Sequence, residues 1–143
     1  MLKHEMIADY EQLTYTGKML RENWVRQIDH FLSLIEGGWT NSEVVELIRF
    51  ISESKYGETL FPDSSLGTLL ISKPQNGRLN YQQTLEVAVN NSEGKMYLIY
   101  TNFDLINSID EYKNSIEWCK EVEEGNLKRD FFEFVAWNKS WFQ

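Results

Sequence analysis

Two runs of alternating side chains flank an Asn-Asn-Ser-Glu-Gly turn in residues 84–101, TLEVAVNNSEGKMYLIYT, and predict a β-hairpin. Leu85, Val87 and Val89 share one face of its first strand, while Thr84, Glu86 and Ala88 share the other. Residues 96–100 are apolar or aromatic on both faces, the pattern of a strand covered on both sides. Gly94 supplies the positive φ that a short hairpin loop needs.

Upstream the period changes to that of helices. Leu20, Trp24, Ile28, Phe31, Leu32 and Ile35 recur every three or four positions across residues 18–36, with Gly37 and Gly38 as a positive-φ stop. Thr40-Asn41-Ser42-Glu43 has the form of a capping box, in which a hydroxyl and a carboxylate satisfy amides at one helix start. Val44, Val45, Leu47, Ile48 and Ile51 form the stripe of the helix behind it, which fades near Ser54. So short a connection predicts an antiparallel helix pair. Residues 1–15 fit either a short helix or the start of a strand. Residues 56–65 read as irregular, with Pro62-Asp63-Ser64-Ser65 as a turn, and residues 66–72 as a strand weakened at Gly67. Asn76-Gly77 is a hairpin cue, after which the chain returns through Leu79 and Tyr81 into the hairpin strands.

Beyond the hairpin, Ser108-Ile109-Asp110-Glu111 repeats the capping-box pattern. The helix it opens is predicted to run to about Glu124, with Gly125 as its stop and Leu105, Ile109, Tyr112, Ile116 and Cys119 on one face. Residues 129–137, RDFFEFVAW, read as an aromatic-rich strand. The resulting order is α-α-β-β-β-α-β. It predicts a single α+β domain over residues 1–143, an antiparallel sheet of about four strands with helices packed on it.

Composition adds three constraints. A chain of 143 residues that is 42% hydrophobic and 14% aromatic can bury a core without staples. Cys119 is the sole cysteine, which points to a reducing compartment, and the first dozen residues lack the apolar run of a signal peptide. The expectation is a cytoplasmic protein. Finally, 22 acidic against 14 basic residues leave a formal charge of −8. That excess repels phosphate backbones and anionic lipid, so neither nucleic acid nor membrane is an expected partner. It speeds encounter with a basic protein, although it also serves solubility alone.

Candidate chemistry is sparse. His4 and His30 have no second ligand at zinc spacing, and no glycine-rich phosphate loop occurs. Cys119 falls on the apolar face of its predicted helix, with Lys120 turned outward, and reads as a small core residue. Asp63-Ser64-Ser65 reads as a hydrogen-bonded turn rather than a nucleophile. No catalytic, cofactor-binding or metal-binding residue is assigned, and no cofactor is expected.

One constellation stands apart. Asp110, Glu117, Glu121 and Glu124 project from the face of the predicted helix opposite its core stripe, forming an acidic ridge bordered by Lys113 and Lys120. The aromatic excess, including Trp39, Trp118, Trp137 and Trp141, adds candidate binding anchors. A compact acidic α+β chain, aromatic-rich, without catalytic motif or export signal, resembles the small acidic immunity proteins that protect bacteria from polymorphic or contact-dependent toxins. The resemblance implies a non-catalytic inhibitor that occludes the active site of a basic toxin domain, with the four carboxylates as partner-binding residues. A small-molecule-binding or regulatory partner domain, with an apolar pocket between helices and sheet, is the alternative. An enzyme with dispersed carboxylates is a third reading.

Overall fold

The computed structural model of the chain describes residues 14–79, 81–102 and 115–142. Two helices come first, α1 (Gly17–Glu36) and α2 (Ser42–Glu53), followed by a 3-10 turn at Lys55–Glu58. Five strands follow: β1 (Phe61–Ser65), β2 (Thr68–Ser72), β3 (Gln83–Asn90), β4 (Lys95–Asn102) and β5 (Ile116–Val122). Helix α3 (Leu127–Trp137) and a 3-10 turn at Lys139–Phe142 end the described chain. The strands form one antiparallel sheet in the order β1-β2-β3-β4-β5, so the fold is α+β with five strands rather than about four.

The hairpin lies where the alternation put it, with Leu85 opposite Tyr100 and Val87 opposite Leu98. Gly94 has φ 67° in its turn. Leu69, Ile71, Leu85, Val87, Met96, Leu98 and Tyr100 face inward. They meet Trp24 and Phe31 of α1, Val44, Leu47, Ile48 and Ile51 of α2, and Phe131, Phe134 and Val135 of α3. Burying each such aliphatic or aromatic side chain contributes roughly 1.5–3 kcal/mol, so this one layer of contact drives the docking of all three helices. The Trp24 indole Nε1 donates to the Leu60 carbonyl at 2.8 Å, which satisfies the only polar atom of a fully buried ring. Residues 96–100 are not covered on both sides, for Tyr97 and Ile99 on the outer face remain half-buried. Leu32, expected in the α1 stripe, is exposed as well.

Three segments differ from expectation. Residues 61–65 form β1 instead of an irregular turn. Pairing with β2 through a two-residue turn imposes strand geometry on residues whose local preference is for turns. In that turn Leu66 and Gly67 take φ 49° and 85°, and a Cβ on Gly67 would lie 2.2 Å from the Trp39 carbonyl oxygen. Residues 116–122, expected in a helix running to about Glu124, form strand β5 beside β4. Residues 129–137, expected as a strand, lie in α3. Leu127, Phe131, Phe134 and Val135 recur there at helical spacing and are fully buried. Leu105, Ser108, Ile109, Asp110, Glu111 and Tyr112, expected at the start of the helix running to about Glu124, and residues 1–13 lie outside the described residues.

The capping box also resolves differently. Asn41 Oδ1 accepts from the Val44 amide at 3.1 Å and caps α2. The Glu43 carboxylate turns away to accept from the amides of Gly125 and Leu127, each at 2.8 Å. Asn126, the N-cap of α3, makes no side-chain cap bond of its own. A carboxylate near the start of one helix thereby satisfies orphan amides at the start of another and places negative charge at its positive end. Glu43→Ala should lower the unfolding free energy by about 2 kcal/mol in urea titration, whereas Glu46→Ala, one turn away and exposed, should change it by less than about 0.5 kcal/mol.

Candidate partner-binding site

Strand β5 alternates cleanly. Ile116, Trp118, Lys120 and Val122 turn toward the helices, and Glu117, Cys119 and Glu121 are exposed on the opposite face. The inward set is well anchored. The Trp118 ring lies 5.3 Å from Phe134 and 6.4 Å from Trp137, and Val122 is buried. Lys120 Nζ donates to Glu133 Oε2 at 2.5 Å and to Asp130 Oδ1 at 3.0 Å. Arg129 Nε adds a third contact to the same Asp130 oxygen at 3.2 Å. Asp130 is 1% exposed, so its charge is one that folding accepts only with such partners.

Two of the four ridge carboxylates therefore do share a face, but it is the face of a strand. Glu117 and Glu121 stand four residues apart along β5, a separation of about 13 Å. Glu117 Oε1 accepts from Asn102 Nδ2 at 2.8 Å, which orients the carboxylate without neutralising it. Glu121 Oε1 lies 3.5 Å from Lys95 Nζ, with both side chains about half exposed, so this ion pair is weak and open to exchange. Glu124 follows in the turn, where it lines two surface grooves of about 440 and 260 Å³ that also share Ser42 and Glu43. Asp110 lies outside the described residues. Glu123, beside Glu124 and exposed, extends the same acidic run and was not singled out in the sequence. The period-two pattern of residues 116–122 was the signal that could have found it.

Two further corrections follow from the strand geometry. Cys119 is exposed at the middle of β5, not a core residue, because the face that would be apolar on a helix is outward on this strand. Lys120 turns inward to Asp130 rather than outward. Among the aromatic candidates, Trp141 is wholly buried, Trp118 half-buried, and Trp39 and Trp137 exposed at 52% and 47%.

Elsewhere the chemistry is thin. His30 is exposed, and its Nε2 lies 3.0 Å from Ser64 Oγ, with no carboxylate bonded to the ring's other nitrogen among the described residues. His4 lies outside them. No cluster of three or more His, Cys, Asp or Glu with metal-holding geometry occurs among the described residues. No described helix is long and apolar enough to cross a membrane. Between helices and sheet, where an apolar ligand pocket was the alternative expectation, Trp24, Phe31, Phe134 and Trp141 belong to the buried core cluster.

The hydrogen bonds to Glu133 and then Asp130 hold the Lys120 ammonium above its ordinary pKa of 10.5. A pKa raised on folding contributes stability that is complete below the unfolded value and lost as pH rises through the folded one. Burial raises the Tyr56 phenol above 10.0, with the same sign. Burial lowers Lys73, with the opposite sign. The urea midpoint should accordingly fall as pH rises beyond about 10.5. In Lys120→Met the midpoint should be lower at neutral pH and the alkaline decline shallower. Equal slopes in the two proteins would remove Lys120 as its source. No protein-family model, no curated protein and no solved structure matches this chain.

Proposed function

We propose that this protein is a non-catalytic inhibitor that binds a basic protein domain through the outward face of β5. On the resemblance to acidic immunity proteins, that domain is the toxin from which the chain protects its own cell. The observation that carries the reading is the exposed acidic face of β5. Glu117 and Glu121 flank Cys119 there and run on into Glu123 and Glu124, with Lys95 the cation paired on that face.

The surface suits this task physically. Side chains on a strand backed by Trp118, Phe134 and Val122 are held in fixed relative positions, so a basic surface meeting them pays little in ordering. Half-exposed carboxylates lose less hydration on pairing than buried ones, and several of one sign steer an oppositely charged partner into contact. A toxin domain that acts on nucleic acid presents the lysines and arginines such a ridge would meet, and covering them blocks access to substrate.

The cognate partner should be the C-terminal domain of a large secreted protein encoded directly upstream, and the two should form a stoichiometric complex. Glu117→Lys combined with Glu121→Lys should slow their association by about tenfold at low salt and flatten its dependence on ionic strength. Stopped-flow association rates that match wild type across ionic strengths would exclude this face as the docking surface.

A further inference from the structure

The two edges of the sheet are finished differently, and the difference assigns a binding mode to β5. The Ser65–Thr68 pair closes the two-residue turn between β1 and β2, so these residues exchange hydrogen bonds with each other. By alternation Phe61 and Asp63 also bond to β2, while the backbone groups of Pro62 and Ser64 point to the free side. Both donor positions on that side are closed. Pro62 has no N–H, and the Ser64 amide is taken by Asp63 Oδ1 at 2.8 Å. The β1 edge cannot template another strand.

The same alternation carries across the sheet. Leu69 and Ile71 bond to Val87 and Leu85; Glu86 and Ala88 bond to Ile99 and Tyr97; Leu98 and Tyr100 bond to Lys120 and Trp118. The backbone groups left over on β5 are those of Cys119 and Glu121, Glu117 being the extra residue where the register with β4 shifts, and no described strand lies beyond them. Their side chains, together with that of Glu117, form the exposed acidic face. No proline interrupts the strand, and the register is regular over Trp118–Val122, the one shift falling at Glu117.

We infer that β5 receives an extended basic segment of the partner as a sixth strand. The inference rests on the acidic-docking reading above and names its mode. Main-chain bonds to Cys119 and Glu121 supply affinity, and the side chains of Glu117 and Glu121 meet Arg or Lys four positions apart, with a small or apolar residue across from Cys119. The charge pattern excludes a second copy of the chain as occupant. Antiparallel pairing centred on Cys119 sets one copy's Glu117 against the other copy's Glu121 at both ends, and like charges directly opposite destabilise a strand pair.

The test uses isotope-labelled protein and a capped peptide of alternating threonine and valine carrying two arginines four positions apart. A second peptide with glutamates in their place is the control. At saturation the arginine peptide should slow amide exchange at Cys119 and Glu121 by about tenfold or more, leaving Trp118 and Lys120, already bonded to β4, unchanged. The glutamate peptide should protect nothing, and Glu117→Lys with Glu121→Lys should reverse the preference between the two. Failure of the arginine peptide to bind at millimolar concentration overturns strand addition. Salt-sensitive binding that leaves those two amides exchanging as in the free protein also overturns it, while keeping the acidic face as a docking surface. If the double charge reversal also leaves association with the cognate basic domain unaltered, the proposed function fails with it.

Discussion

Burial on one side of the sheet dictates most of this molecule. Leu85, Val87, Met96, Leu98 and Tyr100 must all face α1, α2 and α3 for the core to close, and no slip of one residue is tolerated in β3 or β4. That single requirement sends Glu86, Ala88, Tyr97 and Ile99 to the outer face. Through the register with β4 it sends Cys119 and Glu121 there too, and Glu117 is exposed beside them at the register shift. The acidic face of β5 is thus a consequence of core packing in the neighbouring strands β3 and β4. Its side chains can change without disturbing the helices, because none of them takes part in the contact that sets the register.

What holds β5 and α3 together is polar as well as apolar. Glu43, on α2, grips the amides that open α3, and Lys120, on β5, grips two carboxylates of α3. The first contact fixes where α3 begins, and the second fixes its rotation over the strand. Phe134 then falls against Trp118, Tyr100 and Trp141 in tilted or edge-to-face contact, at 5.3, 5.0 and 5.1 Å. Asp130 explains why the ion pairs lie at this junction. A carboxylate in the first turn of a helix is favoured by the dipole, and burial between β5 and α3 leaves it dependent on the Lys120 ammonium.

The parts of this architecture that local pattern decides were legible in the sequence. The α1 and α2 stripes, the 84–101 hairpin and the turn at Asn76-Gly77 each combine a clear period with the residue their backbone needs; Asn76 and Gly77 both have positive φ. The misread segments are those where tertiary contact outvotes local preference. Pro62-Asp63-Ser64 carries turn chemistry, yet it pairs along β2 because the Leu66-Gly67 turn folds it back. In residues 116–122 the alternation of Ile116, Trp118, Lys120 and Val122 includes a lysine on the inner face. That lysine disguised a strand until its partners Asp130 and Glu133 were in view. In α3 the run of phenylalanines suggested a strand, while the spacing of Leu127, Phe131, Phe134 and Val135 already described a helix. Of the four ridge carboxylates, Glu117 and Glu121 kept a common face only because a four-residue separation returns to the same side of a strand as well as of a helix.

If β5 receives a strand as proposed, the contrast between the sheet's edges bears on which strands it accepts. Proline and a side-chain-capped amide close β1 against every strand, whatever its charge, because the missing donors belong to the backbone. Glutamates leave the backbone donors of β5 in place and discriminate through their charge alone. A guard of that kind is conditional. It turns away neutral or acidic strands, including those of an identical chain, and the same carboxylates become an attraction when the incoming strand is basic. An edge that needed only to avoid aggregation could have been closed as β1 is. An edge left open behind charges of one sign retains main-chain affinity and reserves it for partners of the other sign.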